Sequence, residues 1–378
     1  MVSGSDMHGT PITVTAQQEG KTPEEVAMHY HEINSKSIED MGISFDLFSH
    51  THTEEHFEAA HWILETLDKE GYIEPRVSEE PYDPVAKQFL PDRYVEGTCP
   101  HCNYESARGD QCDDCGKTLD AKELINPRSK LNPDANIEFR ETEHLFFKLS
   151  EFRDKLLDWL SEGKDHWRSS VLNFTRNWLK EGLIDRAVTR DLEWGIDIPR
   201  KGYEKKRMYV WFEAVMGYYS ASLHWAKNQG KPELWKDWWE NDEAEHYYFM
   251  AKDNIPFHTI IWPAMLSGCN LHLPYDVPAN EYLLLDSTQF SKSRRHAVWI
   301  PDYLDRYDPE SLRYYLASIM PEQKDANFTW EDYVTRINNE LIGNYGNLMH
   351  RVISFAQKNF PDGLSSEKST IPSLNEKI

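Results

Sequence analysis

Cysteine is scarce, with five in 378 residues. For a chain of this length that excludes a disulfide framework as the organising principle. No apolar run approaches a membrane span, and the N-terminus has no cleavable signal pattern. A cytoplasmic location is therefore expected, with no membrane partner. There is no internal repeat and no low-complexity segment. Positive charge is also in short supply: 41 Lys and Arg stand against 64 Asp and Glu, for a net charge of −23. Taken simply, that deficit argues against nucleic acid, whose phosphates need a basic surface. The acidic residues are spread along the whole chain and form no tail. That distribution fits a halophilic protein, built for a salty cytoplasm, where high salt screens repulsion from a polyanionic partner.

What is present is globular: 39% of residues are hydrophobic and 13% aromatic. A chain this long buries a sizeable core, and two or more domains are expected. Four of the cysteines form two pairs, Cys99-Pro-His-Cys102 and Cys112-Asp-Asp-Cys115. Four thiolates at this spacing can close a tetrahedral zinc site with no open position, a structural site without catalysis. A redox pair is the alternative, but two such units so close together suit metal better. Cys269 stands alone and reads as a buried, inert thiol.

Along the chain, Gly, Pro and polar groups crowd around Asp6–Pro11, and the alternating Ile12-Thr13-Val14 suggests a turn beside a strand. Thr22-Pro23-Glu24-Glu25 is a capping box with Pro at the first helical position, and it places Val26, Tyr30 and Ile33 on one helical face. A second helix begins near Thr53, carries Phe57, Ala60, Leu64 and Leu67, and ends at Gly71. From about residue 74 to 136 prolines and cysteines break the pattern, which reads as an inserted small module. Helices follow with Phe152, Leu156 and Leu160 inward, then Val171, Phe174 and Trp178. Residues 247–268 run from strand to turn to apolar helix, the step of a parallel α/β sheet, where ligands sit at the carboxyl ends of strands. Residues 301–318 and 330–360 read as amphipathic helices, and the polar residues from 361 onward as a frayed end.

Three groups of residues carry candidate chemistry. Trp211, Tyr218, Tyr219 and His258 can line an apolar pocket with polar edges, or simply pack a core. Asp6 and Arg190 can hold the ammonium and carboxylate of a zwitterion, or form surface ion pairs. Ser291-Lys292-Ser293 follows a short apolar strand at 281–286. A lysine point charge on such a loop suits a polyphosphate whose charge shifts during reaction, though the same tripeptide occurs in ordinary solvated loops.

Taken in order, SDMHGTP, LPDRYVEGTCPHC, YVWFEAVMGYY, AKDNIPFHTIIWPAML, QFSKSR, DPESLRYYL and NELIGNYGNLMHR closely resemble methionyl-tRNA synthetase of the archaeal type. With the acidic composition, a haloarchaeal member is expected. The resemblance implies an α/β fold, with a class I synthetase Rossmann-like parallel sheet that is incomplete at its N-terminus. It carries an inserted zinc-knuckle connective domain and part of a C-terminal helical anticodon-binding bundle. The implied segments are 1–55 and 207–285 for the two catalytic halves and 56–206 for the insertion, with its knuckle at 97–118. Residues 286–335 are then the signature loop and stem-contact region, and 336–378 the start of the bundle. The implied activity is ATP-dependent attachment of methionine to tRNA(Met), with ATP and Mg²⁺ as substrate complex and zinc held by Cys99, Cys102, Cys112 and Cys115. By the same resemblance Trp211, Ala214, Tyr218 and His258 contact the methionine side chain and Asp6 its ammonium group. Arg190 and Lys252 sit near the carboxylate and the ATP phosphates, and Ser291, Lys292 and Ser293 close on the triphosphate. Asn347 and Arg351 match anticodon-reading positions, and a separate tRNA-binding subunit is a partner the resemblance allows.

The sequence departs from that pattern in four places. The His-Ile-Gly-His signature of the first strand-to-helix turn is absent. Gln289 stands where the loop signature opens with lysine. Residues 126–139 lack a second set of cysteines, and the bundle stops at about its first helix. The expectation is an incomplete version of a larger enzyme with little adenylate formation alone. The competing expectation from another class is a non-catalytic fragment that docks tRNA or a protein. A weaker one is a synthetase of the same class for a larger aliphatic amino acid.

Overall fold

The computed structural model describes residues 1–91, 94–109, 112, 119–130, 132, 135–291, 295–361 and 363. The chain forms two compact units, Met1–Glu39 with Ile43–Asn280, and Asp40–Gly42 with Glu281–Ile378.

Short parallel strand pairs organise the larger unit. Val2–Ser5 runs parallel to Leu47–His50, with Ser5 opposite His50. Met250–Ala251 runs parallel to Ala279–Asn280. A parallel pair needs a crossover connection, and two helices, Thr10–Glu19 and Pro23–Asp40, supply the first. Ile12, Thr13 and Val14 therefore lie in a helix and not on a strand. Pro11 sits in its first turn and Gly20 closes it in the left-handed conformation (φ 65°), so these two signals override the local alternation. The capping box of the second helix forms as the sequence predicts: the Thr22 N–H donates to Glu25 at 2.8 Å and the Glu25 N–H to Thr22 Oγ1 at 3.2 Å. Its inner face differs, because Val26 and Ala27 are buried while Tyr30 and Ile33 are exposed.

Thr53 caps the helix Glu54–Lys69 by accepting from the His56 N–H at 3.1 Å. Ala60, Ile63, Leu64 and Leu67 of this helix share one core with Phe152, Trp262 and Leu266. The helix Ser169–Glu181 turns Val171, Thr175 and Leu179 inward and leaves Phe174 exposed. Thr175 can face the core because its hydroxyl lies 2.8 Å from the Val171 carbonyl and 2.9 Å from Thr259 Oγ1, so it carries no unpaired polar atom inward.

The two strands of the first pair touch closely. A Cβ on Gly4 would lie 2.6 Å from the Ser49 carbonyl oxygen. Backbone on a paired strand cannot retreat cheaply, so Gly4→Ala is expected to cost about 2 kcal/mol by overpacking. The check is chemical denaturation; a change below about 0.5 kcal/mol would mean the strands separate freely.

A long antiparallel ribbon pairs Ile73–Asp83 with Glu138–Phe147, in register from Ile73↔Phe147 to Tyr82↔Glu138. Beyond it Val95–Thr98 pairs with Ala107–Arg108 and Ile125–Ser129. This small sheet has its own core, including Leu90, Val95, Ala107 and Leu124 with the thiols of Cys99 and Cys112. Buried Asp83 ends the ribbon strand by accepting from the backbone N–H of Val85 (2.9 Å) and Ala86 (3.0 Å), Ser129 Oγ (3.1 Å) and Asn132 Nδ2 (2.8 Å).

In the smaller unit Leu283–Leu285 lies between antiparallel Thr288–Gln289 and parallel Ala326–Phe328. Asp308 caps the helix Pro309–Ser318, and Tyr303, Leu312, Tyr315, Phe328 and Tyr333 form the core. The chain then runs through Trp330–Arg336, a wide i→i+5 stretch Ile337–Gly346, and the helix Asn347–Asn359. Ile342, Tyr345, Leu348, Val352 and Phe355 are exposed along it. The expectation of a frayed end falls almost wholly outside the described residues.

Candidate active site

At the carboxyl ends of Val2–Ser5 and Leu47–His50 the chain opens into a cavity of about 240 Å³. This is the position where open α/β sheets bind ligands, and the volume suits a ligand smaller than a drug-sized one. Asp6 and Thr51 border it from the strand side. Trp211, Ala214 and Tyr218 border it from the helical run that starts at Val210, and Phe257 and His258 complete it. The residues the sequence singles out as Asp6, Trp211, Ala214, Tyr218 and His258 are thus brought together, although they come from three distant segments. Tyr219 is not among them. It is the next residue on a helix and so points elsewhere, packing against the rings of Trp62, Trp235 and Trp239 at 5.6, 5.5 and 5.3 Å.

The polar atoms of the wall satisfy one another. His258 Nδ1 lies 3.0 Å from the Asn254 carbonyl and can only donate there. Its Nε2 then accepts from the Tyr218 hydroxyl at 2.8 Å. Burial pushes the imidazole down to about 4 and the phenol up to about 12, so both are neutral at physiological pH and the tautomer is fixed by its partners. His258 rides on a single widened turn, Phe257–Ile261, a local distortion found often at functional sites. Trp211 stacks on Phe257 with centroids 4.9 Å apart. The wall is therefore largely aromatic, with the polar atoms of Tyr218 and His258 already engaged with one another and with the backbone.

Asp6 is itself exposed toward solvent, with protein crowding it from behind. That crowding, and then the negative charge of Glu213, raise its carboxyl to about 6. Glu213 itself escaped the sequence reading. It is fully buried and accepts from His8 Nδ1 at 2.9 Å and His56 Nε2 at 2.8 Å. Its burial alone would raise its pKa, but the two imidazoles outweigh that and hold it below the ordinary carboxylate range. A second contact chain fixes the histidines: His56 Nδ1 lies 2.8 Å from Ser220 Oγ, and His8 Nε2 3.0 Å from His52 Nδ1. The signal that could have found this cluster is a lone acid inside the aromatic run 209–219, since a buried charge demands partners.

The remaining candidates lie elsewhere. Arg190 stacks its guanidinium 4.1 Å above the Tyr209 ring, and Lys252 opens the short helix Lys252–Asn254; neither lines the cavity. Ser291 pairs with His296 through two backbone hydrogen bonds of 2.9 and 3.0 Å. Lys292 and Ser293 lie outside the described residues. Asn347 and Arg351 border an open groove on the last helix with Leu348, Val352 and Phe355.

Among the described residues the sulfurs of Cys99, Cys102 and Cys112 all lie within 4.8 Å of one another, with Cys102 and Cys112 3.6 Å apart. Thiolates around a tetrahedral ion sit about 3.8 Å apart, so the three can hold a metal ion. Cys115 lies outside the described residues. Cys269 is half-buried with its thiol pushed up to about 12 by burial, which leaves it unreactive.

Residues 1–353 match the family model described as tRNA synthetases class I (M). The methionine–tRNA ligase of Thermomicrobium roseum is 55% identical over 362 residues, which are 95% of this chain and 62% of that protein. That of Dehalococcoides mccartyi is 55% identical over 355 residues, 94% of this chain and 64% of the relative. The chain thus spans somewhat under two thirds of the length of these curated relatives. Mycobacterium tuberculosis methionyl-tRNA synthetase, solved bound by methionyl-adenylate, aligns with a TM-score of 0.73 at 21% identity, covering all of this chain and 68% of that one. At that identity the likeness speaks for the fold alone, and the fold it supports is the class I α/β fold expected from the sequence. With one family model matching it over nearly its whole length, and ligases sharing more than half its residues, the chain belongs to the methionyl-tRNA synthetase family of class I.

Proposed function

We propose that the chain is the catalytic body of a methionine–tRNA ligase acting in the cytoplasm. A methionine carboxylate oxygen attacks the α-phosphorus of Mg²⁺-bound ATP and pyrophosphate leaves. The resulting methionyl-adenylate then passes its acyl group to a terminal ribose hydroxyl of tRNA(Met), and AMP leaves with the hydroxyl proton passing to solvent. No covalent nucleophile is needed from the protein. Its task is to position the reactants and stabilise spreading negative charge.

The observation that carries this reading is the pairing of one carboxylate, Asp6, with an aromatic wall in which Tyr218 and His258 already satisfy one another. An ammonium group finds its counter-charge at one end. A thioether, apolar and polarizable, packs on Trp211, Tyr218 and His258 at the other, and Ala214 leaves room for it. Arg190 and Lys252 are assigned to the carboxylate and phosphate groups, which requires each to reorient when ligand binds. Ser291, Lys292 and Ser293 are assigned to the triphosphate, Asn347 and Arg351 to the anticodon. Cys115 is assigned as the fourth thiolate of a structural zinc.

Quenching of intrinsic tryptophan fluorescence tests the site without requiring turnover, since Trp211 lines it. Methionine is expected to bind saturably and at least about tenfold more tightly than valine, a difference within the 1–3 kcal/mol available per methylene. No saturable binding, or equal binding of leucine, would remove the methionine assignment.

A further inference from the structure

Glu213 lies in no contact with the cavity, yet two walls of the cavity depend on it. It sits between Trp211 and Ala214, both lining residues, on the helix Val210–Glu213. Through His8 it holds the turn that follows the first strand, 205 residues away in sequence. Through His56 it holds the helix Glu54–Lys69, 157 residues away. The turn is pinned further by Trp194 Nε1 on the Met7 carbonyl (2.8 Å) and by the Met7 N–H on Thr51 Oγ1 (3.0 Å). Asp6 stands at the start of that turn and accepts from the His8 N–H at 3.3 Å.

We propose that Glu213 is a positioning residue of the amino-acid site: it fixes the turn that carries Asp6 and, as a buried negative charge, tunes the grip of Asp6 on the ligand ammonium group. This rests on the reading of Asp6 as the ammonium partner. Two like charges in a crowded space oppose one another's ionisation. Glu213, clamped by two imidazoles, keeps its charge, so Asp6 takes up the proton as pH falls. Several titratable groups of the surrounding elements lie well away from pH 6. His50 and His258 are both held down to about 4, and Tyr218 up to about 12. His52, reached through His8, is also held below its ordinary value, chiefly by burial. His8 itself opposes Glu213 at Asp6, and less strongly. Amino-acid capture should therefore weaken as pH falls through about 6, and Glu213 should set where that happens.

The test is methionine affinity against pH for the 378-residue chain, with Glu213→Gln and Glu213→Asp beside it. Glu213→Gln keeps the size and removes the charge. It is expected to weaken binding by up to about tenfold at pH 8 and to move the acid-side midpoint at least ~0.5 pH lower. Glu213→Asp keeps the charge but withdraws it by one methylene, and should weaken binding at every pH without that displacement. A midpoint unmoved in Glu213→Gln overturns the proposal and leaves Glu213 a merely structural acid. Carbon-13 NMR titration of the Asp6 carboxyl in the unmodified chain decides the matter even if a variant fails to fold: a midpoint near 4 overturns it. If methionine does not bind at any pH while Asp6 still titrates near 6, the ammonium reading falls and the electrostatic coupling stands.

Discussion

Asp6→Asn should cost about 2–3 kcal/mol of methionine affinity, a loss of roughly 30- to 150-fold, while leaving the fold at least as stable at neutral pH. The first effect follows from removing one partner of an ion pair that the bound ligand itself covers. Asn keeps an acceptor for the His8 N–H, so the turn has no new unpaired group. The second effect has a definite sign. A carboxyl raised to about 6 in the folded chain, against its ordinary value of 3.8, binds its proton more tightly folded than unfolded. Its contribution to stability is complete below about pH 4 and is lost as pH rises through 6, so at pH 8 the ionised group is a net cost. Because the carboxylate is reached by solvent from the cavity, that cost is discounted to about 1 kcal/mol. Chemical denaturation of both proteins at pH 4 and pH 8 measures it. Expected is a gain for the variant at pH 8 that vanishes at pH 4. A variant less stable at pH 8, or one that still binds methionine normally, would remove Asp6 from the site. A group whose removal strengthens the fold and weakens binding is what a functional carboxylate in a crowded site should be.

Local chemistry was the part of this molecule most readily visible in its sequence. The caps at Thr22 and Thr53 each satisfy backbone donors within three residues, so nothing distant has to be known. The inward positions Ala60, Leu64 and Leu67 follow from helical spacing alone. Where the reading failed, a tertiary neighbour had decided. Tyr30 and Ile33 share a face with Val26, but among the described residues no element covers that face beyond its first turn. Phe174 is larger and more apolar than Thr175, yet Thr175 is inside because Thr259 waits there for its hydroxyl. The site divides in the same way. Trp211, Tyr218 and His258 were legible through a resemblance in order and spacing. The Glu213 cluster joins three segments separated by 157 and 205 residues, and no local pattern encodes such a meeting.

Removing the metal proposed for the cysteine cluster should have the largest structural effect, and a confined one. The module beyond the ribbon has a core of about nine buried side chains, too few to offset the conformational entropy of ordering its loops. A structural zinc contributes on the order of 10 kcal/mol to such a unit, so the small sheet should fold only with the ion bound. Cys102→Ser removes one of three sulfurs already in mutual reach, and a strong chelator should act in the same way. Expected is release of one equivalent of zinc with loss of hydrogen-exchange protection in Val95–Thr98 and Ile125–Ser129. The ribbon end at Ile73 and Phe147 belongs to the main core and should keep its protection. Methionine binding should survive, since among the described residues no lining residue of the cavity comes from the module. Unchanged protection in the small sheet after complete chelation would mean that its apolar core holds it without metal. Loss of methionine binding together with the zinc would mean that the module supports the site from a distance, through the long ribbon that joins it to the main core.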